Sequence, residues 1–424
     1  METVNFNAII LLILLICSFG VSALTKKYFG KIGLLSGFEF VVIGILLGDQ
    51  FGIGFLSQVK MQPFIPLLSL LIGLFGFLYG LEVIRIKVKS ESGQAGVYFH
   101  IVLLLIAITF FYPFVIQAIS NLEGNDLNLF SNTKIASFFD SGKDTHLWKA
   151  ASLAAMTIIA SFEFVTRTLS QTRPPRLLAS ILTRIVASGE TLAVFFFGAV
   201  FASAQALQLS SIRGWTISEW IIALIGIGVF CGLLFFLFLG KDDSPVKTYL
   251  ATIGVVTLVS GMASAMGVSP LFLNFICGMT LALASPSAEK IASSLNAFRG
   301  AMAIMILFFA GVYLSEVSEF AIFLSFIYIA LRLIALSLLT PFFNRFLFEK
   351  RFAPKSKRIF YYQDVLIVIL PLDLVIRNIS FAQDILLCAL VAYLVFAYVG
   401  HNSLSDFIED SREYYAEKKT NAVS

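Results

Sequence analysis

The chain has 424 residues, 58% hydrophobic and 13% charged, with a formal net charge of +4 and a mean hydropathy of +0.90. That composition excludes a water-soluble globular domain and a disordered chain, and so small a net charge gives no ground for a nucleic-acid partner. What fits is an all-α polytopic protein whose solvent is the lipid bilayer.

With about 20 apolar residues needed per crossing, thirteen spans are predicted in chain order: near 6–24, 34–48, 63–84, 97–119, 148–169, 176–207, 217–240, 246–267, 269–285, 296–315, 318–344, 358–377 and 383–400. Spans 34–48 and 269–285 are short for a crossing and 176–207 is long. The longest polar stretch between them is 121–147, so one membrane domain is expected over 1–400. A short polar tail follows over 401–424, too small for a core of its own and expected to be a fraying helix. The start, Met1-Glu2-Thr3-Val4-Asn5, lacks the basic region of a cleavable signal, so the first span is expected to stay in the chain.

An odd count puts the termini on opposite sides. With the N-terminus outside, the loops facing the cytoplasm hold 22 of the 30 Lys and Arg residues and the opposite loops hold 6, while Arg184 and Arg332 fall within spans. This is the bias expected of a cell-membrane protein with its C-terminus in the cytoplasm. Cys17, Cys231, Cys277 and Cys388 are scattered through apolar spans, as are His100, His146 and His401 along the chain. Neither set has metal-ligand spacing, so no metal and no cofactor is expected. No Ser/His or Cys/His constellation points to an enzyme.

Glu190 lies in the apolar run Arg184 to Phe197. Burying a carboxylate at that depth costs roughly 2.5–3.5 kcal/mol, so it marks either an ion or proton path or a charge held by an Arg for architecture alone. Arg332, in the middle of 318–344, needs an acceptor within the bundle, and Glu190 is its expected partner. Glu163 sits four residues before Arg167, a spacing that also suits a simple surface bridge. Asp364 enters its span from the same side, with Pro371 able to break that helix. Ser161, Ser188, Thr191 and Gln363 are supporting polar neighbours. Glu39, Glu82 and Asp373 fall near span ends and are expected to be solvated or capping, and Arg184 to snorkel toward headgroups. Gly44 with Gly48, Gly73 with Gly76 and Gly80, and Gly254 with Gly261 and Gly267 offer faces for close helix approach.

Taken in order, several segments resemble the monovalent cation:proton antiporter superfamily. Leu24 to Lys31 followed by Glu39 to Gly48 is similar to its first two helices, and Leu74 to Glu82 to its third, ending in Gly-Leu-Glu. Phe275 to Ala282 is similar to its Phe-x-x-Gly helix, Leu307 to Leu314 to its Phe-Phe-x-x-x-Gly-type segment with one residue fewer, and Leu331-Arg332-Leu333 to a helix with a buried basic residue. The resemblance implies a homodimer of inverted repeats in which two broken helices cross in a core domain. That core would move like an elevator and exchange protons for Na+ or K+. It also implies that Gly189-Glu190 stands where the family has its ion-binding pair, and that Ser161-Phe162-Glu163 stands at the unwound helix. The family's Asp is Glu here, its Asn, Asp or Gln neighbour is Gly189, and the unwound motif reads Ser-Phe-Glu. A second alignment sets Gly189-Glu190-Thr191-Leu192 on the family's Gly-Glu-Ser-Leu, whose glutamate pairs with a buried Arg. The ion pair then becomes Val194-Phe195, which binds nothing, and the chain would be a transport-inactive scaffold or sensor.

Overall fold

The computed structural model describes residues 37–48, 56, 61–83, 91–122, 145–213, 216–239, 245–285, 287–314, 319–347, 356–377 and 382–421. The expected span 6–24 lies outside them. Their regular structure is helical throughout: α1 (Phe38–Leu47), α2 (Ile65–Glu82), α3 (Glu91–Leu122), α4 (Thr145–Thr157), α5 (Phe162–Thr172), α6 (Arg176–Arg213), α7 (Ile217–Leu239), α8 (Pro245–Met266), α9 (Pro270–Ala284), α10 (Ala288–Tyr313), α11 (Glu319–Leu347), α12 (Leu366–Ile376) and α13 (Ala382–Asn421), with short 3-10 turns at Gln62–Phe64 and Ser356–Phe360. Among the described residues, 9 helical stretches are long and apolar enough to cross a membrane, and α9 and α12 are shorter apolar helices. The chain is a multi-pass membrane protein.

Two of the expected spans are interrupted. The span 148–169 stops as α4 at Thr157 and restarts as α5 at Phe162. Ser161 makes that restart possible: its extended backbone (φ −79°, ψ 111°) leaves the helix and its hydroxyl accepts from Phe164 N at 3.1 Å, the usual N-cap device. The α5 helix closes at Arg173, in the left-handed region (φ 47°), just before Pro174. The span 358–377 is likewise a 3-10 turn, a non-helical stretch over 361–364 and then α12. The last helix runs to Asn421, so the polar tail continues α13.

Which helix packs on which divides the molecule into two bundles. In the first, α9 lies on α2 and α7, α10 on α1, and α8 on α2; in the second, α3 packs on α4 and α6, α13 on α11 and α12, and α5 on α6. The seam between them is formed by α2, α7 and α9 against α6, and by α10 and α2 against α12. Both broken helices belong to the second bundle.

The first bundle is tight because glycines let backbones touch. A side chain on Gly76 or Gly80 of α2 would overlap the carbonyls of Leu271 or Phe275 in α9, and one on Gly278 would overlap the Phe77 carbonyl in return. Expected close approach at Gly254 and Gly261 is not found: a side chain there meets nothing within 4 Å, and both lie on the exposed face of α8. Among the described residues of the chain, then, no helix packs closely on either glycine. Gly76→Val is therefore expected to cost about 1–3 kcal/mol through overpacking and to lower the Tm of the detergent-solubilised protein clearly. Gly254→Val should leave it near the parent value in the same thermal melt.

Candidate functional site

The site is built at the two helix breaks. There Ser161 N donates to Tyr362 O at 3.0 Å, so the two interrupted segments cross and bond backbone to backbone. Gln363, fully buried, reinforces the crossing by donating to Met156 O and to Tyr328 OH, each at 3.0 Å. The rings of Phe164 and Tyr362 stack above it at 3.9 Å.

Each break leaves helix carbonyls on one side and helix N–H groups on the other, and lipid can satisfy neither. Arg332, 1% exposed, answers the carbonyls of both breaks with one nitrogen: its Nη2 donates to Ile159 O at 2.6 Å and to Phe360 O at 2.7 Å. Its guanidinium also lies over the Phe396 ring, 4.6 Å from the centroid. Carboxylates answer the N–H ends. Glu190 Oε1 accepts from Phe162 N at 2.8 Å at the start of α5, and Asp364 Oδ1 accepts from Val365 N at 2.8 Å at the start of α12. Negative charge at a helix N-terminus and positive charge at its carbonyl end are the favourable pairing with the helix dipole.

The expected Glu190–Arg332 pair is therefore corrected. The cation beside Glu190 is Arg299, whose Nη2 lies 4.0 Å from Glu190 Oε2 and 2.6 Å from Asp364 Oδ2. Arg299 comes from α10 in the first bundle and reaches across the seam; it also bonds Glu82 at 3.2 Å and approaches Glu163 at 3.6 Å. Tyr79 completes the group, donating to Asp364 at 2.8 Å, accepting from Arg299 at 3.3 Å and placing its ring 5.0 Å beneath the guanidinium. The sequence places Arg299 in a cytoplasmic loop, yet it is 2% exposed. Ser285-Pro286-Ser287 carries the missed signal. A Ser-Pro-Ser run is a sequence signal for a helix start; α10 begins at Ala288, which places Arg299 about three turns inside it.

Glu82 and Asp373 are corrected as well, being 2% and 1% exposed and not solvated. Glu39 does cap, accepting from Gly37 N at 3.2 Å. Glu163 keeps its i, i+4 bridge to Arg167 at 2.6 Å, with that arginine 62% exposed. Ser188 is buried; its hydroxyl donates to Ile185 O at 2.6 Å and lies 3.2 Å from Nδ1 of His100, which is itself buried. Thr191 is half-buried one residue past Glu190. Gly189 is required where it stands: any side chain would strike His100 Nε2 and Ile158 O, each 2.7 Å from its first carbon. Val194 is buried and apolar, while Phe195 is exposed, 6.3 Å from the Phe272 ring.

A cavity of about 200 Å³ opens onto the crossing, lined by Ser161, Glu163, Arg167, Tyr362, Gln363 and Asp364 on its polar side and by Ala303, Ile304, Leu307 and Tyr393 opposite. Of the acidic groups around Arg299, Asp364 and Glu163 line this space, and Glu190, 1% exposed, does not.

No family model and no curated protein matches the sequence. Among solved structures, the chain is similar to the sodium proton antiporter MjNhaP1 of Methanocaldococcus jannaschii at pH 8, with a TM-score of 0.60 and 14% identity over 95% of this chain and 99% of that one. The chain thus has the fold of a sodium/proton antiporter, as the sequence resemblance implied.

Arg299→Ala would leave buried carboxylates without their counter-charge. It is expected to destabilise by about 3–5 kcal/mol, whereas Arg167→Ala, at an exposed bridge, should cost no more than about 1 kcal/mol. Thermal unfolding of the two purified variants, followed by tryptophan fluorescence, checks the contrast.

Proposed function

We propose that the protein is a secondary transporter that exchanges protons for a monovalent cation, Na+ or K+, across the cell membrane by elevator-type alternating access. It works as a transporter and not as an enzyme, in a homodimer with its N-terminus outside and its C-terminus in the cytoplasm. One observation carries the reading: Glu190 and Asp364, both buried and each accepting from a backbone N–H at the start of a crossing half-helix, share the single guanidinium of Arg299.

Two carboxylates facing one cation leave a negative charge that a low-dielectric interior does not tolerate. Among the described residues no second cation lies beside this pair, so the balance is restored by a proton or by a bound cation arriving through the cavity. Both cannot occupy the same carboxylate, and that exclusion is the coupling. Half-helix ends supply fixed dipoles at the crossing without any further ionised group. Asp364 meets the cavity first, Glu190 lies deeper, and Tyr79 hands Asp364 a hydrogen bond that keeps its carboxylate oriented as the charge state changes. Ser161 and Gln363 line the approach, and Arg332 holds the crossing fixed. Division into two bundles, with both breaks in one of them, supports motion of that bundle as a unit past the other.

A second reading draws on the same guanidinium. If Arg299 is a permanent counter-ion and never yields to a cation, the chain is a transport-inactive scaffold or sensor on this fold.

Vesicles with a pH-sensitive dye and an imposed pH gradient separate the two. Addition of Na+ or K+ should move protons in vesicles of the parent protein, Glu190→Gln and Asp364→Asn should bring that movement to background, and Arg167→Gln should retain it. Absence of any cation-dependent proton movement in the parent, with Na+, K+ or Li+, establishes the scaffold. Flux that survives Glu190→Gln but not Glu163→Gln moves the site to Glu163.

A further inference from the structure

A second polar cluster crosses the seam at the other end of α12. Asp373, 1% exposed, accepts from the Ser269 hydroxyl at 2.5 Å with one carboxylate oxygen and from Arg377 Nε at 3.3 Å with the other. Ser269 is the N-cap of α9 in the first bundle, its oxygen also accepting from Phe272 N at 3.2 Å. Asp373 and Arg377 belong to the second bundle, where Arg377 is steadied over the Phe201 ring of α6. A second bond crosses beside the first: Gln205 Nε2 of α6 donates to Met266 O, the last residue of α8, at 2.9 Å. The short turn Gly267-Val268-Ser269 is thus held twice by the opposite bundle.

Asp373 lies nine residues beyond Asp364, about 13 Å along the chain axis at 1.5 Å per residue. Asp364 faces the open cavity, while Ser269 and Asp373 are sealed, at 2% and 1% exposure. The two ends of α12 are therefore in different conditions, one lining the cavity and the other closed by hydrogen bonds across the same seam.

We propose that Ser269, Asp373 and Arg377, with Gln205, form the gate of the far face, closed in this structure and opened when the second bundle carries Glu190 and Asp364 toward that face. This inference rests on the exchanger function proposed above. A carboxylate-to-hydroxyl bond is well matched to gating, because it excludes water while closed, and once parted both groups are satisfied by water, so the opened state leaves no buried charge unpaired. Arg377 keeps Asp373 neutralised from within its own helix in either state.

The test places a single cysteine in the gripped turn, Val268→Cys, with Cys17, Cys231, Cys277 and Cys388 replaced, and labels it with a membrane-impermeant maleimide from each face of sealed vesicles. Labelling should be slow with the gate intact. Ser269→Ala and Asp373→Asn should each speed labelling from the face bearing the α8–α9 turn by about tenfold or more, the shift expected from one lost charge-assisted hydrogen bond. Ser269→Thr, which keeps the hydroxyl, should return it to the slow rate. Fast labelling with the gate intact, or an unchanged rate in both variants, overturns the gate whether or not the vesicles show flux. In vesicles that do show flux, Ser269→Cys with Asp373→Cys joined by mercuric ion should stop it and a thiol should restore it; flux that persists through complete cross-linking overturns the proposal while leaving the exchanger function intact.

Discussion

A helix broken inside a bilayer must find partners for the backbone groups it releases, and the structure is organised by that constraint. Lipid supplies none, and each unsatisfied group at depth costs several kcal/mol. The chain answers with four ionisable side chains in complementary places. Arg332 takes the carbonyl ends of both breaks, Glu190 and Asp364 take the two N–H ends, and Arg299 balances the carboxylates from the facing bundle. Remove the breaks and none of these charges has a reason to be buried. Keep the breaks and all of them are needed.

The proposed exchange draws on the same arrangement. Arg332 binds neutral carbonyls and its role does not change with the charge of the site, whereas Arg299 faces more negative charge than it can cancel. In the proposed function, structural and working roles are thereby divided between two arginines of similar burial. The division follows the seam: Arg332 lies wholly within the second bundle, and Arg299 reaches into it from the first. Polar contacts cross the seam at Arg299 on one end of α12 and at Ser269 on the other, and the proposed sliding of the bundles would have to remake them. Apolar contacts along the rest of the seam, such as Gly198 of α6 beneath the Phe272 ring of α9, carry no such directional demand.

Much of the fold was legible in the sequence because hydrophobic length is a local property. Spans from residue 34 onward reappear as helices in the expected order, and Ser161 with its neighbours marks the first break. The site was legible only in part. Glu190, Asp364, Glu163, Arg332 and Gln363 do gather at the crossing, but the partnership of Glu190 with Arg332 was wrong: two charges at similar depth in a sequence need not share a side of the bundle. Arg299, Glu82 and Asp373 lie near span ends, where a charge is cheap if lipid headgroups or water reach it, and neighbours from α2, α5, α9 and α12 deny them that access.

By itself, then, the sequence determined a multi-pass helical membrane protein, the run of its spans and which ionisable residues are too deep to be incidental, since apolar length and the cost of charge in lipid act residue by residue along the chain. Only the tertiary structure decided which charge meets which, that Gly189 exists to admit His100 and the Ile158 carbonyl, and that α12 is open at one end and closed at the other. Those outcomes depend on helices far apart in sequence arriving at one place. Hydrogen bonds and close ion pairs there need particular atoms brought within about 3–4 Å in the right orientation, which spacing along the chain does not foretell.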